Sequence, residues 1–190
     1  MLEFIKKYKT MTLLVAVLLV IASMTTFLLA FEKRQKLQMP PEIVVQDIYA
    51  FGEYESEIEY QQDQEGTVHQ LIERQHTYLN ELTGYGSIDK VKIYEIVAED
   101  KWQNLSEDIT YLIEEGVAGS KARNDLIRAH YFMQVTEQGD VNSLRYLHRI
   151  FHDLDVKINE YEGKHFNVTE AYGKRHKSLD QYLRGNGENE

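Results

Sequence analysis

His148 and His152 lie four residues apart, a spacing that puts two imidazoles on one face of a helix and lets them share a metal ion. They stand beside Asp153 and Asp155 on a segment whose apolar residues recur at helical spacing. Two ligands do not make a site. A third must come from another element, and nothing in the sequence identifies it. Histidines beside a helical seam also serve as half-buried polar contacts. That reading is adopted here, with His148 and His152 kept as candidate ligands and no cofactor expected.

Glu73-Arg-Gln-His76 and Glu162-Gly-Lys-His165 both fit the Glu-x-x-His pattern of di-iron bundle proteins. Two matches in a chain so rich in Glu are close to chance. Gly163 also sits inside what would have to be a helical turn. Other chemistry is thinner. The chain has no cysteine, which excludes disulfides, thiolate metal sites and a cysteine nucleophile. Gly-x-Ser-x-Gly, His-Glu-x-x-His and a glycine-rich phosphate loop are missing. The acidic run Glu53, Glu55, Glu57, Glu59, Asp63 and Glu65 lacks the spacing of a calcium loop and reads as a solvated stalk. No catalysis is expected.

Lys174, Arg175 and Lys177, with His176 between them and Arg184 beyond, form the basic cluster of an otherwise acidic region. They are the interaction candidates, suited to an acidic partner or an anionic polymer. The 13 tyrosines suit core edges and contact surfaces, having an apolar ring and a polar tip.

The elements that position these residues begin with an anchor. Residues 11–31 carry no charge, and 12 of them are Leu, Ile, Val or Phe. At 1.5 Å per residue the run reaches roughly 30 Å, the thickness of a bilayer core, so a transmembrane helix is expected. It is too long for the apolar part of a cleaved signal peptide, and Leu28-Leu29-Ala30 is a poor cleavage site. The type IV pilin leader pattern is also missing. Lys6, Lys7 and Lys9 precede the run, and Lys33, Arg34 and Lys36 follow it, so the positive-inside rule nearly ties. The short basic tail of residues 1–10 favours an inside N-terminus and an extracytoplasmic domain, and the absence of cysteine leans towards a bacterial source.

The whole chain carries −10, and residues 1–31 carry a small positive excess, so the rest is strongly acidic. That argues against nucleic-acid binding, which runs on Lys and Arg contacts to phosphate. Pro40 and Pro41 end a juxtamembrane linker over 32–41. The remaining 149 residues contain no proline, which permits helices throughout.

Val44, Ile48, Phe51 and Ile58 suggest a first helix, with Gly66 as its break. Val68, Ile72, Gln75, Leu79 and Leu82 mark a second. A loop over 83–87 follows, with Ser87 as an N-cap. Residues 88–102 fit helix or strand, and helix is favoured because no partner strand is evident. Ser106 and Ser120 are expected to open further helices. Leu144, Leu147, Phe151, Leu154, Ile158 and Tyr161 repeat at 3-4-3-4-3, the pattern of a bundle seam. A last helix carries Val168, Tyr172, Leu179 and Leu183, before a tail over 185–190 expected to be disordered.

The expected fold is all-α: one N-terminal transmembrane helix, then an antiparallel bundle of about six helices over 42–184. The expected function is a membrane-anchored interaction or scaffold module of a bacterial envelope assembly. Its partners would be other membrane or envelope proteins, or a second copy of the chain. The alternatives are a sensory, small-ligand-binding ectodomain and a metal-dependent enzyme using His148 and His152.

Overall fold

The strict 3-4 spacing of Leu144, Leu147, Phe151, Leu154 and Ile158 forms one helix, and Asp140 starts it. The Asp140 carboxylate accepts from the amides of Asn142 and Ser143 at 3.2 and 3.1 Å, meeting donors that a helix N-terminus leaves unpaired. Gly139, at φ 100°, makes the turn before it. The computed structural model describes residues 49–173 and 177–183, with Met24 besides.

The chain divides into two units, Met1–Pro40 and Pro41–Glu190, and the second holds the helices described here. They are α1 (Glu65–Thr83), α2 (Ile93–Ile96), α3 (Asp100–Tyr111), α4 (Lys121–Glu137), α5 (Val141–Ile158) and α6 (Lys177–Leu183). Short 3-10 turns cover Gly84–Lys90 and Glu170–Tyr172, and a π turn over Leu112–Gly116 extends α3. Among the described residues there is no strand, only an isolated antiparallel bridge from Tyr60 to Val117. The all-α expectation holds for them. None of their helices is long and apolar enough to cross a membrane. The expected span over 11–31, the linker over 32–41, Lys174, Arg175, Arg184 and the tail lie outside the described residues.

α5 is the centre of the core, packing on both α1 and α4. It buries Leu144, Leu147, Ile150, Phe151 and Leu154 completely. Each side chain of that size contributes roughly 1.5–3 kcal/mol by leaving water. α1 meets it with Val68, Ile72 and Leu79, and α4 with Ile127 and Phe132 among others. Trp102 of α3 is fully buried and donates from Nε1 to Glu137 at 2.9 Å, tying α3 to α4.

Several expected boundaries are corrected. Residues 49–64 are not helical: the chain is extended to Tyr60 and then turns over 61–64 into α1. Glu53, Glu55, Glu57 and Glu59 point to solvent while Tyr54, Ser56, Ile58 and Tyr60 turn inward, the period of two of an extended chain. The carbonyls of Ser56 and Glu57 accept from the amides of Lys121 and Ala122 at 3.0 and 2.9 Å, so this segment caps α4.

Gly66 does not break a helix but lies in the first turn of α1. Ser87 sits inside a 3-10 turn, and Ser106 falls in the middle of α3, which starts six residues earlier at Asp100. Ser120 occupies the N-cap position of α4, but its hydroxyl donates back to the Ala118 carbonyl at 3.2 Å rather than capping the helix. Residues 88–102 are helical but interrupted, and the expected last helix is split, with Val168 in an irregular segment. The seam stops at Ile158. Tyr161 lies beyond the helix because Glu160 takes φ 55°, which no α-helix accommodates.

Candidate metal centre

α5 presents His148 and His152 on one face, as their spacing requires, and α1 supplies the third imidazole, His76. Each of the three offers a ring nitrogen, and these nitrogens all lie within 4.8 Å of one another. His76 Nε2 and His152 Nδ1 are 3.1 Å apart. Tetrahedral zinc with bonds of 2.0–2.1 Å separates its ligand nitrogens by about 3.3 Å, so this pair is already close to ligating distance. The His76 and His148 rings stack with centroids 5.6 Å apart and planes at 28°. His76 is 2% exposed and His148 9%.

The protons decide what the cluster can bind. His76 Nδ1 lies 2.7 Å from the Asp155 carboxylate. Burial raises the Asp155 pKa, but hydrogen bonds from His76 and Asn159 outweigh it and the net shift is down, so Asp155 is an ionised acceptor and His76 Nδ1 donates. His152 Nε2 lies 3.1 Å from the Lys164 carbonyl, which can only accept, so this contact is a hydrogen bond when Nε2 carries the ring's proton. These two bonds use one ring nitrogen of each histidine. With the protons on these outer nitrogens, the facing atoms, His76 Nε2 and His152 Nδ1, present lone pairs to each other. His148 Nε2 is buried with no hydrogen-bond partner.

Charge on His148 and His152 is disfavoured as well. Burial, reinforced by His76 and His152, pushes His148 down to about 4. Burial, followed by His76, also lowers His152. Three imidazoles thus converge, with His76 Nε2 facing His152 Nδ1 at 3.1 Å and His148 Nε2 buried without a hydrogen-bond partner. That arrangement asks for a cation, and imidazole donors suit zinc, copper or nickel rather than calcium or magnesium. Asp155 completes the carboxylate–histidine–metal relay that orients such ligands.

Tyr161 packs edge-on against His76 and His152, with centroids at 4.9 and 5.7 Å, and Phe166 covers His152 at 4.8 Å. A cavity of about 380 Å³, lined by Glu73, Thr77 and Tyr161 among others, reaches His76 and Asp155.

The sequence reading had two of the three ligands and missed their relation to the third. His76 was noticed through Glu73, which is exposed and faces the cavity rather than joining the cluster. A usable signal existed in the α1 stripe, because His76 follows Ile72 by four residues and so shares its buried face. His165 lies off any helix and packs against Tyr172 with the rings tilted, so the second Glu-x-x-His match is not a helical motif. Of the basic interaction candidates, Lys177 is described and is exposed at the start of α6. The acidic residues of the proposed stalk are exposed too, Glu53 to Glu59 on the extended segment, Asp63 in the turn after it and Glu65 at the start of α1.

Compared with family models, with curated proteins and with solved structures, the chain matches none of them.

Proposed function

We propose that this chain is a membrane-tethered helical domain that binds one transition-metal ion, with zinc the best fit, through His76, His148 and His152. The observation that carries the reading is the convergence of three imidazoles from two helices, each with a ring nitrogen within 4.8 Å of the others, and His148 Nε2 buried without a hydrogen-bond partner. The apolar run over 11–31 supports the tether, and the frame is an extracytoplasmic module of a bacterial envelope.

Bound there, zinc supplies a cross-link between α1 and α5, the helix pair at the heart of the core. Asp155 keeps His76 in the ligating tautomer, and the Lys164 carbonyl does the same for His152. Because an unfolded chain has no such site, binding energy becomes folding energy.

Calorimetric titration of the metal-stripped full chain in detergent with zinc chloride is expected to show one ion per chain. His148→Ala removes a ligand whose Nε2 holds no other contact, and is expected to weaken binding by about 100-fold or more. Absence of saturable binding, or an unchanged affinity in that variant, would overturn the proposal.

A further inference from the structure

We infer that the domain is metal-responsive: an ion on the three histidines fixes residues 159–169 against α1 and α5, making this segment the readout of occupancy. The inference rests on the metal reading above and names its regulatory consequence.

Residues 159–169 contain no helix, yet they are tied down at many points around the centre. The Lys164 carbonyl accepts from His152 Nε2 at 3.1 Å. The amide of Val168 donates to Asp153 at 2.8 Å, and that of Phe166 to the other oxygen of the same carboxylate at 2.5 Å. Asn159 donates to Asp155 at 2.6 Å and to the His69 carbonyl at 3.1 Å. Tyr161 and Phe166 lay their rings against the histidines. A Cβ on Gly163 would stand 3.0 Å from His152 Cε1, so the backbone passes the imidazole at a distance only glycine allows without displacement. Two non-glycine residues of the segment, Glu160 and Asn167, hold left-handed backbones at φ 55° and 58°. Such conformations persist only where surrounding contacts impose them.

The link between ion and segment is the tautomer of His152. With no metal, this ring has two competing uses for one proton. Placed on Nδ1, the proton satisfies His76 Nε2 but turns the lone pair of Nε2 onto the Lys164 carbonyl, and the segment loses that anchor. Placed on Nε2, it holds Lys164 but leaves two lone pairs facing each other 3.1 Å apart. A metal on Nδ1 removes the choice. The proton must sit on Nε2, the ring becomes a stronger donor, and the bond to Lys164 is made in every molecule. The constraint then passes along the chain, because the next amides, of Glu170 and Ala171, donate to buried Asp125 of α4 at 2.7 and 2.9 Å.

Hydrogen exchange of the full chain in detergent, read by mass spectrometry with zinc and with chelator, tests this. Labelling for seconds to minutes confines the comparison to segments that open locally, since core helices stay protected in both states. Peptides covering 159–169 are expected to exchange about 10-fold more slowly with zinc, reversibly on chelation. In His148→Ala the His152–Lys164 contact is retained but the ion is not held, and zinc is expected to leave their exchange unchanged. If calorimetry shows one zinc bound while 159–169 exchanges at the same rate with and without it, the coupling is wrong and the metal site stands. If no zinc binds, both fall.

Discussion

Arg128→Ala is expected to destabilise the metal-free domain by about 3–5 kcal/mol at pH 7, measured as a drop in the urea midpoint without a large change in slope. Arg128 is 1% exposed and holds three acids from three parts of the chain. It donates from Nη1 to Asp125 at 2.9 Å, from Nε to Asp180 of α6 at 2.8 Å, and from Nη2 to Glu170. The Phe51 ring lies 5.1 Å from its guanidinium carbon. One guanidinium therefore ties α4 to the 3-10 turn at Glu170–Tyr172 and to α6.

Truncation takes the Arg128 cation from fully buried Asp125, and the cost is mainly that buried charge. The pH dependence follows. Burial pushes the Asp125 carboxyl up to about 7, against Arg128 and two backbone amides that pull it down. An acid with a raised folded pKa binds protons more readily when folded, so its contribution to stability falls as pH rises from its unfolded value near 4 towards 7. Without Arg128 the opposing pull weakens. The deficit of the variant is thus expected to be smaller at pH 5 than at pH 7. A loss under about 1 kcal/mol at pH 7 would show that these carboxylates are not held as described.

Zinc at a free concentration about 1000-fold above its dissociation constant is expected to stabilise the wild-type domain by about 4 kcal/mol. For a domain of this size that corresponds to a rise in Tm on the order of 10 °C, reversed by chelator. The effect is large because the ligands come from α1 and α5, whose packing is the core itself, so unfolding must release the ion. It operates at neutral pH because burial keeps His148 unprotonated, pushed down to about 4. A melting temperature indifferent to both zinc and chelator would contradict it. A similar rise in His148→Ala would place the ion elsewhere.

The two parts of this account differed in how readable they were from the chain. The α5 seam was plain because five of its apolar residues repeat without interruption, whereas the capping role of Asp140 emerged only from the structure. Residues 49–64 misled because Val44, Ile48, Phe51 and Ile58 fit a helix, while the decisive alternation lies in the glutamates between. Their extended form depends on the unpaired amides of α4, a partner far along the chain that local periodicity cannot reveal. The metal centre was half legible for the same reason. A spacing of four exposes His148 and His152 as a pair, whereas His76 joins them only because α1 packs on α5. Asp155 looked like a neighbouring charge, and its role in holding His76 appears only once the two helices meet.

X-ray absorption on the zinc-loaded full chain tests the central claim most directly, since it reports the atoms around the ion. Three imidazoles predict a nitrogen shell at about 2.0–2.1 Å with the multiple scattering that histidine rings produce. That scattering should be largely lost when His76 and His148 are replaced together. A shell of oxygens without imidazole scattering would put zinc on surface carboxylates and contradict the account.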